Sequence, residues 1–91
     1  MNAILKIEKI FNPTFGGTFF IGTLTGQKDL FRQSKWLLRG NKGYNKIISI
    51  RSEQIPEGNA VDKRIFVSDL FLDKSLFNGE DLELEFVSYI E

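Results

Sequence analysis

Basic residues interleaved with aromatic ones, in the segment 28–51, are the side chains of this sequence best suited to chemistry with a partner. The segment holds seven cations and one acid, a net charge of +6. Single-strand nucleic-acid binders combine a cationic groove, which releases phosphate counterions, with aromatic rings on which bases stack. The candidate RNA- or partner-binding residues are therefore these cations and rings, namely Arg32, Lys35, Trp36, Arg39, Lys42, Tyr44 and Lys46.

A second interpretation of the same segment requires no ligand. Trp36 adjoins Leu37 and Leu38, so it can be a core residue while the charges solvate the strand faces. The whole chain has a formal net charge of +0, because residues 53–91 carry ten acids against three cations. A neutral chain exerts no long-range attraction on nucleic acid. The sequence favours this second interpretation and leaves RNA and an acidic protein surface open as partners.

Four phenylalanines around one turn, Phe11, Phe15, Phe19 and Phe20, are another candidate site. An exposed patch of this kind marks a surface for a protein partner. Phe19 and Phe20 are adjacent, so they face opposite sides of a regular strand. A bulge near Gly22, or cover by a later segment, would bury both rings, and the sequence favours a core position for the cluster.

Catalytic and metal-ligating side chains are scarce. The chain has no His and no Cys, so the commonest neutral-pH catalytic groups and a Ser-His-Asp triad are missing. A zinc site would have to be built from carboxylates alone. Glu83 and Glu85 alternate with Leu82, Leu84 and Phe86, which is typical of the solvated face of a strand. The sequence therefore predicts no enzyme activity, no cofactor and no metal.

The elements that would position these residues are short strands. Apolar runs bounded by turn signals, with clear alternation in the first and the last, predict six strands, at 3–11, 18–25, 35–39, 44–50, 63–68 and 82–90. A phase slip at Ile4-Leu5 indicates a bulge in the first strand. Gly22, inside the second strand, indicates a bulge, a barrel bend or a close backbone approach. The irregular segment 69–77 is predicted to contain a short helical turn.

One domain, 1–91, accounts for the whole chain of 91 residues. Strands at this spacing are typical of a small all-β protein, here a six-stranded antiparallel closed barrel. The N-terminal residues do not resemble a signal peptide, and no apolar run approaches the roughly 20 residues of a membrane span. The sequence therefore predicts a cytoplasmic protein without membrane contact.

The first hairpin has a spacing that resembles a known family. Phe11, then Gly17-Thr18, Phe19-Phe20, Gly22 and Leu24 resemble the start of the second-domain β-barrel of translational GTPases of the elongation factor Tu type. Two later stretches, 57–61 and 77–82, are also similar to turns of that family, so the resemblance covers roughly 5–84. It implies a translation-protein barrel that docks on RNA or on a protein.

Two departures from the family pattern weaken the inherited function. Gly16 stands where the family usually has an Arg before the Gly-Thr pair. No G-x-x-x-x-G-K-[ST] loop occurs in the sequence, so this chain hydrolyses no nucleotide.

The function predicted from the sequence is a non-catalytic binding module that contacts RNA or a ribonucleoprotein through the basic-aromatic face. The alternative is a protein–protein interaction or regulatory module, for example of the immunity type, that uses the acidic C-terminal half. An enzyme is the least favoured class, because it would need a carboxylate-lined pocket with perturbed titration.

Overall fold

Seven strands form one antiparallel sheet in the computed structural model, which describes residues 3–26, 33–54, 63–73, 75 and 81–90. In chain order they are β1 (Ile4–Phe11), β2 (Thr18–Thr25), β3 (Ser34–Gly40), β4 (Asn45–Ile50), β5 (Ser52–Gln54), β6 (Lys63–Ser68) and β7 (Leu82–Tyr89). The all-β class is confirmed, and all six predicted strands are present with ends within one residue of the prediction. No helix in the described ranges is long and apolar enough to cross a membrane.

The sheet curls into a half-barrel, so the predicted six-stranded closed barrel is wrong. The strand order is β4-β3-β7-β1-β2-β6-β5, with β4 and β5 at the two edges. The additional strand is β5, which a polar stretch of three residues could not signal by apolar alternation. The end of β4 is tied to β6 near Arg51, whose N–H donates to Val67 O at 2.7 Å. Beside it, Ser68 Oγ donates to Ser49 O at 2.7 Å.

The core fills the concave face of the half-barrel. On β2, alternate residues from Thr18 to Leu24 are buried, as expected when one face of a strand packs inward. Trp36 and Phe66 meet edge-on at the centre, with ring centroids 4.9 Å apart. Residues from β1, β2, β3, β4 and β7, with one residue before β1 and one after β6, complete the cluster, namely Ala3, Leu5, Phe20, Leu24, Leu38, Ile48, Ile50, Leu72, Leu82 and Leu84. Each large side chain contributes about 1.5–3 kcal/mol to the folded state by its burial.

A bulge bends β1 at Glu8, opposite Gly22 of β2. The β1–β2 register shifts there, which leaves Glu8 without a pairing partner on β2. A Cβ atom on Gly22 would lie 2.0 Å from Lys6 O, so the predicted close backbone approach at Gly22 is confirmed. The bulge predicted at Ile4-Leu5 is wrong, because both residues pair with β2 in regular register.

The segment after β6 forms a strap rather than the predicted helical turn. Residues 69–73 are non-helical, Ser75 has a 3₁₀ conformation, and positions 74, 76 and 77 of that prediction lie outside the described residues. Thr18 Oγ1 donates to Leu70 O and accepts from Leu72 N–H, both at 2.8 Å, and Asn12 Nδ2 donates to Leu72 O at 2.9 Å. These bonds satisfy backbone groups that a helix would pair internally, and the segment places Leu72 in the core.

Candidate functional site

The central aromatic ring of the predicted basic-aromatic face is in the core. Trp36 is 3% exposed and packs edge-on against Phe66 and Phe86. Its indole Nε1 donates to Ser34 Oγ at 2.7 Å. A buried indole has no free face on which a base could stack. The interpretation of Trp36 as a core residue is therefore confirmed.

Arg39 lies on the outer face between two carboxylates. Its Nη2 is 3.1 Å from Glu83 Oε2, and its Nη1 is 2.9 Å from Glu85 Oε1. The pairing of β3 with β7 places the basic strand directly beside the acidic one. The hydrogen bond with Glu83, followed by the charges of both carboxylates, raises the pKa of Arg39. The solvated acidic face predicted for β7 thus neutralises the most central cation of the predicted site.

The other predicted site residues are spread over both faces of the sheet. Lys35 is exposed on the outer face, and Lys42 is exposed in the β3–β4 turn. Lys46 pairs with Leu38, so it belongs to the inward row at the free edge of β4, where its side chain is exposed. Tyr44 is half-buried and packs against the core. Arg32 lies outside the described residues, and the seven-residue site stays a prediction.

Three phenylalanines of the β1–β2 hairpin form an exposed aromatic patch, defined here as Phe11, Phe15 and Phe19. Phe15 is 77% exposed and Phe11 is 46% exposed. Each of these rings packs edge-on against Phe19 with a centroid separation of 6.1 Å. Phe20 is completely buried, so the two adjacent phenylalanines face opposite sides as predicted. The core position favoured for the cluster is wrong for Phe11 and Phe15.

A tight turn holds the aromatic patch in place. Gly16 N–H donates to Pro13 O at 3.1 Å, and Gly16 and Gly17 have φ angles of 100° and 82°, a region that favours glycine. A Cβ atom on Gly17 would lie 2.6 Å from Ser68 O, so the turn sits directly against the end of β6. The glycines are explained by this geometry, and Phe15 is displayed from a constrained loop.

The residues next to the aromatic patch give it a definite chemical character. Beside the Phe11–Phe19 pair on the outer face, Lys9 pairs with Ile21, and Ile21 pairs in turn with Ile65 of β6. Lys9 is exposed, and it makes no ion pair with any residue that the structure describes. The patch therefore combines aromatic rings, half-buried aliphatic side chains and one cation at its border.

Three further ion pairs are present among the described residues, and two of them, those of Glu8 and Glu53, accompany shifts in pKa. On the outer face, Glu8 Oε2 accepts from Thr23 Oγ1 at 2.7 Å and also from Lys63 Nζ. Lys63, and then Thr23, lower the pKa of Glu8. In the interior, Arg64 Nε lies 2.9 Å from Glu53 Oε1, and both side chains are largely buried.

Glu53 has the kind of perturbed titration that an enzyme could use. Burial raises its pKa, although the Arg64 guanidinium acts in the opposite direction. Its nearest described ionic partner is Arg64, an arrangement that structural ion pairs also produce. Glu53 does not line either of two surface grooves formed by described residues, one beside β4 and one at the β1–β3–β7 end of the sheet. Within the described ranges, no group of three or more acidic side chains is placed to hold a metal ion.

Comparison with known proteins finds no family model, no curated protein and no solved structure that matches this chain. The resemblance to the second-domain barrel of translational GTPases stays a prediction. Of the two later stretches that support it, 57–61 and residues 77–80 lie outside the described residues.

Proposed function

We propose that this protein is a non-catalytic interaction module that binds a protein partner through the aromatic patch. The observation that carries the proposal is Phe15, which is 77% exposed although the turn around it is constrained. Aromatic side chains on rigid backbone supply large contact areas at a low cost in conformational entropy, and they are enriched among interface hot spots.

The size of the aromatic patch limits how much of the binding free energy it can supply. Phe side chains bury about 150–250 Å² each, so capping the exposed parts of Phe11 and Phe15 removes roughly 250 Å² from water. At about 25 cal/mol per Å² this yields roughly 6 kcal/mol. Association itself costs about 4–15 kcal/mol. The partner must therefore add further contacts, and the chemistry of the border suggests apolar side chains over the rings with a carboxylate near Lys9.

RNA binding receives less support from the geometry. Trp36 is buried, and Arg39 is shared by Glu83 and Glu85. A protein surface requires neither an exposed stacking ring nor an unshared guanidinium, so the protein-partner hypothesis accounts for the described surface better.

Site-specific photocross-linking identifies the partner. Benzoylphenylalanine replaces Phe15 in one variant and Val87 in a control variant, because Val87 is 46% exposed and lies on β7, outside the patch. We expect one protein to cross-link at position 15 and not at position 87. The cross-linked protein is then purified for measurement of its affinity.

Calorimetry with the purified partner then tests the patch itself. Phe15→Ser is expected to weaken binding at least about tenfold, as loss of a hot spot does, whereas Val87→Ser changes affinity less than about twofold. Binding is expected to persist at high salt because apolar contacts are not screened. Equal losses in the two variants, or a complex that nuclease treatment dissolves, would contradict the proposal.

A further inference from the structure

The free edge of β4 carries hydrogen-bonding groups that point away from the sheet. β4 pairs with β3 on one side, and no described strand pairs with it on the other. Gly40 N–H donates to Tyr44 O at 2.8 Å, so every second residue from Tyr44 to Ile50 directs its backbone groups toward β3. Asn45, Ile47 and Ser49 therefore direct theirs outward. The hydrogen bond from Ser68 Oγ to Ser49 O agrees with this assignment.

A groove of about 520 Å³ lies along this edge. Three half-exposed apolar side chains line it, with exposures of 57% for Ile47, 39% for Leu70 and 38% for Ile90. One end is closed where Ser68 contacts Ser49 and where Arg51 Nε lies 3.0 Å from Asp69 Oδ1. No other described strand covers the edge from Asn45 to Ile47, and Ile47 also lines the apolar groove.

The charges around this edge favour an anionic occupant. Residues 33–51 contain five cations and no acid. Arg39 is neutralised by β7 and Arg51 by Asp69. Lys35 and Lys46 make no ion pair with any described residue. Lys46 is exposed on the edge strand itself.

We propose that the edge of β4 binds an extended acidic peptide, which adds to the sheet as a further strand. The peptide backbone pairs with the outward groups of Asn45 and Ile47, in the manner of β-strand addition to an exposed sheet edge. Because Ile47 and Lys46 point to opposite faces, alternate peptide residues meet an apolar groove and a cation. The matching sequence alternates apolar and acidic residues.

A peptide fits this edge better than RNA does. The outward N–H and C=O groups repeat with the spacing of a polypeptide strand, and the neighbouring Trp36 ring is buried while Tyr44 packs against the core. The proposal rests on the β4 edge alone and stands independently of the aromatic patch.

Fluorescence anisotropy with a labelled eight-residue peptide of alternating Glu and Val tests the proposal. The controls are the matching Lys-Val peptide and a labelled uridine octanucleotide. We expect the Glu-Val peptide to bind about tenfold more tightly than the Lys-Val peptide at low salt, and Lys46→Glu to reverse the preference. Absence of binding by the Glu-Val peptide at millimolar concentration, or tighter binding of the octanucleotide, would overturn the proposal.

Backbone pairing is tested separately from charge. Ile47→Pro removes the outward N–H, whereas Ile47→Ala keeps it, and edge strands tolerate proline when that N–H faces solvent. We expect the proline variant to bind about threefold to tenfold more weakly than the alanine variant, the effect of one hydrogen bond.

Hydrogen exchange on the unaltered protein avoids dependence on the folding of the proline variant. The Ile47 amide is expected to exchange more slowly when the Glu-Val peptide is bound. Binding that leaves this amide unprotected, or binding that Phe15→Ser abolishes, contradicts strand addition at β4. The second result would place the peptide on the aromatic patch and would leave the proposed function standing.

Discussion

At the scale of single residues, the Thr18 side chain attaches the strap to the sheet. It is completely buried, and its hydroxyl group both donates to Leu70 O and accepts from Leu72 N–H. One side chain therefore fixes the strap to β2 and allows Leu72 to reach the core.

The Thr18→Val substitution tests this role, because it retains the shape of the side chain and removes only the hydroxyl. We expect a loss of about 2–3 kcal/mol in the free energy of unfolding, since two backbone groups lose a partner near the core. Urea unfolding provides the measurement. Thr25→Val is the control, because Thr25 is exposed, and it should cost less than about 0.5 kcal/mol. Equal losses would show that the strap does not depend on Thr18.

Gly22 is the second residue whose type the fold requires. A Cβ atom there would meet Lys6 O at 2.0 Å, and neither backbone can move without breaking the β1–β2 pairing. Gly22→Ala is expected to cost about 3 kcal/mol or more in thermal unfolding, at the upper end of overpacking effects. Gly16→Ala, at φ 100° with nothing within 4 Å of the added Cβ, should cost only about 1 kcal/mol of backbone strain. The reverse order would contradict this account of the β1 bulge.

Residue exposure was the least predictable feature from the sequence. The pleat requires Phe19 and Phe20 to face opposite sides, and this prediction is correct. Which side is inward depends on the pairing of Phe20 with Phe66 across β2 and β6, a contact between residues far apart in the chain. Trp36 shows the same dependence, because its inward position follows from the partners that β7 and β6 supply.

At the scale of strands, the β5–β6 pair contains the buried ion pair of Glu53 and Arg64. Burial raises the pKa of Glu53 above its ordinary value of 4.5. The folded protein therefore binds this proton more tightly than the unfolded chain does. The contribution of Glu53 to stability is most favourable below pH 4.5 and declines as the pH rises through the raised folded-state pKa.

A comparison with Glu53→Gln isolates this effect, because the amide keeps a hydrogen-bond acceptor for Arg64 and does not titrate. The stability of the unaltered protein relative to the variant should fall as the pH rises above about 4.5, and urea unfolding at several pH values measures it. A difference that stays constant, or that grows with pH, would show that burial does not dominate the pKa of Glu53.

The strands themselves were largely predictable, and the exceptions have physical causes. Apolar runs bounded by turn signals predict β2 and β6 at their observed bounds. Strand β5 was missed because Ser52–Gln54 is polar and depends on its pairing with β6. The sequence predicts the β1 bulge at Ile4-Leu5, because two apolar residues adjoin there. The observed bulge lies at Glu8, opposite Gly22, where the two backbones approach closely.

At the scale of the whole molecule, strand order decides how charge is distributed. The sequence separates a basic segment from an acidic one, but β7 lies between β3 and β1 in the sheet. Outward residues therefore alternate in sign across the strands, as Arg39, Glu83 and Lys6 do along one cross-strand row.

This mixing predicts weak affinity for nucleic acid. A uridine oligomer at physiological salt should bind with a dissociation constant weaker than about 10⁻⁴ M, the weak limit of non-specific binding. Arg39→Gln should change that constant less than about twofold, because Arg39 is already paired with carboxylates. Fluorescence titration measures the dissociation constant for the unaltered protein and for the variant. Binding that is much tighter, and that Arg39→Gln weakens, would restore the basic-aromatic face as the site.

Arg51 limits how far the two edges of the half-barrel can separate. β4 and β5 stand at opposite edges of the sheet, yet one residue joins them. Consecutive Cα atoms are about 3.8 Å apart, so Ile50 and Ser52 can never be separated by more than about 7.6 Å. The two edges can consequently spread only by pivoting about this point, with the widest aperture at the Asn45 end of β4. The chain connection through Arg51 thus limits the separation of β4 and β5 at this end, even if the neighbouring hydrogen bonds break.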